Sequence, residues 1–127
     1  MKQAVKSSAT LAPSTQHSVI MRHLQAFREN NLQSVMEDYS DSAVFITQQT
    51  TYTGKTAIRG FFEELIIHFP PDHTNFTLHT LAACNNMVLI IWEASTPTLS
   101  VMMGTDTFIL SEGKIVQQTF AAHMNYH

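Results

Sequence analysis

Near its C-terminal end the chain reads GTDTFILSEGKIVQQTFAA, from Gly104 to Ala122. Thr105 to Leu110 and Ile115 to Phe120 pattern as two strands joined by Ser-Glu-Gly-Lys, with Gly113 placed where a tight turn needs positive φ. Side chains alternate along a strand, so Asp106 shares a face with Phe108 and Leu110. An ionised, unpaired acid on an apolar face is costly. Asp106 is therefore a local hydrogen-bonding device, a residue whose face the pattern misassigns, or a working acid–base group in a pocket.

The other chemistry-bearing residue types offer less. Seven histidines raise the question of a metal. His68, His73 and His79 fall on a helix end, a proline loop and a strand, and neither H-x-H nor H-E-x-x-H occurs. His123 and His127 are four apart, but on a strand that spacing spans roughly 12 Å or more. No metal is expected, and no cofactor. Cys84, beside Asn85-Asn86, has no neighbouring basic group to activate it. There is no G-x-S-x-G elbow and no glycine loop for phosphate.

The elements that must position Asp106 follow from periodicity. Ser14 or Thr15 caps a helix running to about Glu29, with Val19, Ile20, Leu24 and Phe27 as its apolar stripe. Asn30-Asn31 breaks it, and Leu32 to Tyr39 reads as a second helix. Ser42 to Gln48 reads as a strand. A third helix runs from Ala57 to about His68, ended by Pro70-Pro71. Four strand runs follow: Thr74 to Ala83, Met87 to Ser95, Leu99 to Leu110 and Lys114 to Met124. Helices first and strands after is the order of an α+β fold, with helices on one face of a bent sheet.

The bulk numbers agree with one compact unit. The chain has 127 residues, 44% of them hydrophobic and 13% charged, with a formal charge of −3. That is ample for a core and too acidic for a nucleic-acid surface. Residues 1–13 read as a flexible leader and 14–127 as a single domain. The leader lacks the apolar run of a signal peptide, and Met87 to Trp92 is too short to span a bilayer, so no membrane association is expected. The one cysteine suits a reducing, cytoplasmic setting.

The order of a helix, NNLQSVMEDYSDSAVFI, YTGKTAIRGFFEEL and strands ending in TDTFILSEGKIVQQTF resembles the nuclear transport factor 2-like superfamily. Within it the chain is most similar to SnoaL-like and ketosteroid-isomerase-like bacterial proteins. The resemblance covers about Gln16 to Met124, and its most specific parts are G-x-x-A-I-x-x-F-F and D-x-F-x-x-x-x-G-K-I. It implies a cone: a curved antiparallel sheet wrapped around three N-terminal helices, with a small-molecule cavity in the open end. The fold hosts isomerases, cyclases, hydrolases, dehydratases and binding modules, so it does not fix an activity.

Ketosteroid isomerases use an Asp general base and an oxyanion hole made by a Tyr and a protonated Asp. Matched position by position, the oxyanion aspartate falls on Asp106, its tyrosine partner on His23 and the general base on Thr47. A threonine hydroxyl is too weak a base for a carbon-bound proton, and a positioned base is worth roughly 10²–10⁴-fold. Steroid isomerisation is therefore not expected. Two readings of these residues stay open: Asp106 and His23 pair across the cavity, the acid orienting the imidazole, or His23 sits at the solvent edge of its helix and Asp106 bonds a backbone or threonine neighbour.

Trp92 either lines the cavity or lies in an outer dimer interface, and Glu93 must take the opposite face. Tyr52 reads as a cavity-rim donor or as packing. Thr47 reads as a ligand contact or a strand-end group, and Gln48 as the latter. Phe108, Gln118 and Phe120 complete the expected lining. A small apolar metabolite is the expected ligand, with proton-transfer chemistry (isomerase, cyclase or lyase) as one reading. A non-catalytic carrier or interaction module is the other. A homodimer through the outer sheet face is expected, since strands such as VLIIW are apolar on both sides.

Overall fold

The computed structural model describes residues 15–127. The expected leader and the cap at Ser14 lie outside the described residues. The elements are α1 (Thr15–Arg28), α2 (Leu32–Glu37), β1 (Tyr39–Thr47), β2 (Thr51–Thr53), α3 (Lys55–Leu65), β3 (Asn75–Cys84), β4 (Met87–Ser95), β5 (Leu99–Ser111) and β6 (Lys114–Tyr126), with two short 3-10 turns between α3 and β3. The fold is α+β, as the element order implied.

On α1, Val19, Ile20, His23 and Ala26 are buried, so an imidazole occupies a place in the apolar stripe. The helix stops at Asn30, whose φ of 56° is left-handed, and the Asn31 N–H returns to the Ala26 carbonyl at 2.9 Å. Such a C-terminal twist satisfies carbonyls that would otherwise end the helix unpaired. Asn31 then caps α2, its side chain accepting from the Ser34 N–H at 3.1 Å. The second helix is shorter than its pattern suggested: it ends at Glu37, and Tyr39 opens β1. The Ile115 N–H bonds the Asp38 carbonyl at 2.7 Å, so pairing with β6 captures the chain there and overrides the local helical spacing.

The six strands form one sheet in the order β2-β1-β6-β5-β4-β3. β3 to β6 pair antiparallel, as expected, but β1 runs parallel to β6. A purely antiparallel sheet is thus corrected at this one junction, because α2 delivers β1 from the same end at which β6 starts. Glu112 and Gly113, both at positive φ, make the tight β5–β6 turn. Register shifts at Leu78/Thr80, Trp92/Ala94 and Val101/Met103 cross β3, β4 and β5 in neighbouring rows. Bulges bend a strand and increase its twist, so this row curves the sheet around the helices.

α1 and α3 fill the concave face. Ile20, Ile58, Phe62 and Val35 meet Phe45, Val88, Ile90, Phe108 and Ile115 in one core. No helix among the described residues is long and apolar enough to cross a membrane.

Candidate active site

Asp106 stands on the concave face of β5, buried, with Ile90 and Phe120 as its cross-strand neighbours. Alternation had grouped it with Phe108 and Leu110, and the family resemblance had turned that face inward. The Trp92 indole N–H donates to its Oδ1 at 2.8 Å, and Gln118 Nε2 donates to its Oδ2 at 2.9 Å. Trp92 therefore faces inward, which settles the alternative left open by the strand pattern. Glu93, on the outer face, pairs with His79 at 2.8 Å.

The chain of contacts continues. The Tyr39 hydroxyl donates to Gln118 Oε1, and lies 3.4 Å from His23 Nε2. His23 Nδ1 is 3.0 Å from Asp38 Oδ2, and Arg22 Nη2 is 2.6 Å from Asp38 Oδ1. One buried polar string thus runs Asp106–Gln118–Tyr39–His23–Asp38 and reaches solvent at Arg22, whose side chain is 64% exposed. Expected as a direct pair, Asp106 and His23 are joined only through Gln118 and Tyr39. The carboxylate that orients His23 is Asp38. The reason is steric: Tyr39 opens β1 pointing inward, and its ring meets that of His23 edge-on at 5.3 Å.

Burial sets the electrostatics. It pushes the Asp106 carboxyl up to about 6, against the lowering effect of the Trp92 and Gln118 hydrogen bonds and the His23 charge. Asp38 is buried too, which alone would raise it, but hydrogen bonds from His23 and Arg22 outweigh that and hold it below its ordinary value. Tyr39 is raised well above the usual phenol range by burial, then by Asp106 and Asp38, and so stays a neutral donor.

Asp106, His23 and Gln118 are the polar groups bordering a cavity of about 50 Å³. Its remaining walls are carbon: Phe45, Phe62, Ile90, Trp92, Phe108 and Phe120 at the floor, with Leu24, Phe27, Phe61, Leu65 and Phe76 towards the mouth. Phe76, Trp92 and Phe120 stack in series, at centroid distances of 5.4 and 6.2 Å. Of the expected lining, Trp92, Phe108, Gln118 and Phe120 are in place.

Two expected contacts are not. Thr47 ends β1, and its hydroxyl donates to the Thr50 carbonyl while accepting from the Gln49 and Thr50 N–H groups, so it closes the β1–β2 turn. Tyr52 packs behind the wall, 6.1 Å from Phe45 and 5.2 Å from Phe61. Gln48 satisfies the Ala122 N–H, a structural task. Asp38 and Tyr39 escaped the sequence reading, which had them at the end of a helix. An adjacent acid and phenol at an element junction were the available signal. Among the described residues no cluster of three metal-ligating side chains occurs.

Residues 20–118 match the SnoaL-like domain family. No curated protein matches the chain in sequence. Among solved structures it is similar to an NTF2-like protein of unknown function from Cytophaga hutchinsonii, at 12% identity and TM-score 0.71, covering 89% of this chain and 93% of that one. It is also similar to the epoxide hydrolase/cyclase-like enzyme SalBIII of pyran ring formation in salinomycin, at 16% identity and TM-score 0.74, covering 88% and 95%. A third likeness is an LEH-like epoxide hydrolase of M. tuberculosis, at 14% identity and TM-score 0.67, covering 86% and 83%. At these identities the likenesses establish the fold.

Proposed function

The chain belongs to the SnoaL-like domain family, and on that premise we propose that it binds a compact, largely apolar small molecule and that Asp106 is the acid–base group acting on it. One observation carries this reading. A carboxyl held by two neutral donors in a carbon-walled cavity is raised to about 6, so both of its protonation states are within reach near neutral pH. General acids and bases work best when poised in that way. Asp106 ionised accepts a proton from the ligand; Asp106 protonated donates one. The reaction class is proton transfer, of the isomerase, cyclase or lyase kind. With a hydroxyl committed to a turn at Thr47, the route of the steroid isomerases is not part of the proposal.

The ligand's polar part is compact and meets Asp106 beside Gln118 and His23, because the rest of the wall offers ring faces and methyls. Ligand pockets commonly measure roughly 300–1,000 Å³, and the cavity here is about 50 Å³. A ligand of that size therefore needs lining side chains to move, and the half-buried Phe27, Phe61 and Phe76 are less confined than the buried rings. That small volume is also the observation favouring a second reading, a non-catalytic module whose interior is nearly filled by its own aromatic rings. A cytoplasmic setting accords with the free cysteine, Cys84.

Protein-observed NMR titration with a fragment set of small ring compounds, run on the unmodified protein and on Asp106→Asn, separates the two. Binders that shift Phe120 and Trp92 signals and lose affinity in Asp106→Asn support the site. No binders, with the fold intact, favours the filled-core module.

A further inference from the structure

The polar string behind Asp106 has a property that its members lack singly. Tyr39 has one hydroxyl proton and two candidate acceptors, His23 Nε2 and Gln118 Oε1. Asp38, ionised and bonded to Arg22, holds the Nδ1–H of His23, so the state of the ring is written at Nε2. The Gln118 amide has one donating and one accepting end and spans Tyr39 and Asp106.

Two arrangements satisfy every link. In the first, His23 is a cation and its Nε2–H donates to the Tyr39 oxygen. Tyr39 donates to Gln118 Oε1, and Gln118 Nε2 donates to an ionised Asp106. In the second, Asp106 carries the proton and donates to Gln118 Oε1. The amide is turned end for end, Gln118 Nε2 donates to the Tyr39 oxygen, and Tyr39 donates to a neutral His23. Between the two, Nε2 loses one proton and Asp106 Oδ2 gains one, so the pair's summed charge is zero in both. The amide ends are nearly equal in shape, so turning leaves the packing unchanged.

The other two combinations each leave a fault. With neither group protonated, Tyr39 serves only one of two waiting acceptors. With both protonated, one proton has no acceptor along the string and must point into the carbon-walled cavity.

The geometry points to Gln118 and Tyr39 as positioning residues that tie the protonation of Asp106 to that of His23, so that one proton is held between the two. The groups involved are Arg22 and His23 from α1, Asp38 at the α2–β1 junction, Tyr39 from β1 and Asp106 from β5. β4, β6 and α3 present the neutral Trp92, Gln118 and Phe62. A ligand that fixes Asp106 in one state would thereby fix the amide and the imidazole behind it. The tie belongs to the protein without ligand, so it stands or falls apart from the ligand-binding reading.

A double-mutant cycle on the Asp106 midpoint, read from its carboxyl-carbon NMR signal, tests it. His23→Gln in the unmodified protein should raise that midpoint, because the cationic partner is gone. In a Gln118→Leu background the same change should move it by less than about half as much, since the hydrogen-bonded path is cut while the distance between the groups is kept. Tyr39→Phe breaks the string at another link with the loss of one oxygen, and decides the matter if Gln118→Leu does not fold. Equal displacement in intact and cut backgrounds would mean that the two groups act on each other through space alone. That result overturns the proposal.

Discussion

The indole of Trp92 lies flat on the backbone of Gly104 across the β4–β5 pair, so close that a Cβ at Gly104 would stand 2.6 Å from Cζ2 and 2.9 Å from Cδ2. The missing side chain is what lets the ring lie along the sheet and aim its N–H at Asp106, two residues further on. Gly104→Ala must push the indole off the strand. The expected cost is about 1–3 kcal/mol, as for other overpacked cores, read by urea unfolding, with a shift in Trp92 fluorescence. Unchanged emission and stability would mean that the ring is not held as described.

Asp106→Asn should stabilise the protein at pH 8 rather than weaken it. A carboxyl raised on folding from 3.8 to about 6 favours the folded state while protonated, and that contribution is lost as pH rises through 6. The difference corresponds to about 3 kcal/mol, and the amide, which cannot ionise, should recover about 1–3 kcal/mol of it at pH 8. Below pH 4 the two proteins should be nearly equal. Thermal unfolding of both across pH 4 to 8 checks the crossover.

Asp38 runs the other way. Its carboxyl is lowered on folding, so its contribution is present above the unfolded value near 3.8 and is lost as pH falls through the folded one. Asp38→Asn should cost about 1–3 kcal/mol at pH 7, since His23 and Arg22 lose a charged acceptor. That penalty should shrink in acid. A penalty that is flat with pH would point to packing instead.

At the mouth, Phe61 is half-buried and touches Phe45, Phe62 and Phe120. Phe61→Ala should cost about 2–3 kcal/mol, below the roughly 3–5 kcal/mol of a fully buried phenylalanine, and should enlarge the cavity. Faster or tighter uptake of a small probe such as indole, followed by Phe120 chemical shifts, is the expected gain.

We propose that two copies associate through the outer sheet face, where Met87 and Met103 are about half exposed, at 49% and 50%. Leu89, Ile91 and Ile109 lie half-buried beside them. Light scattering at micromolar concentration should give twice the 14.3 kDa chain mass. A monomer there would leave the apolar outer face unexplained.

Much of this molecule was legible in its sequence, for a definite reason. Helical and strand periodicities fix which side chains share a face, so Asp106 was grouped with Phe108 and Leu110 by alternation, and the family resemblance turned that face inward. The proline pair and the Asn and Gly turns fixed where elements stop. The family resemblance added the curvature and the placement of His23 near the cavity. What periodicity cannot encode is which inward groups touch. Asp38 and His23 lie fifteen residues apart on different elements, and their 3.0 Å contact depends on where α1 packs and where β6 captures the chain. Tyr39 suited the apolar side of a helix as well as the first position of a strand, and only pairing with Ile115 decided between them. A hydrogen bond is made or lost over a few tenths of an ångström. The sequence therefore determined the fold and the face of the acid, while the packing of α1 against β1 and β6 decided its partners.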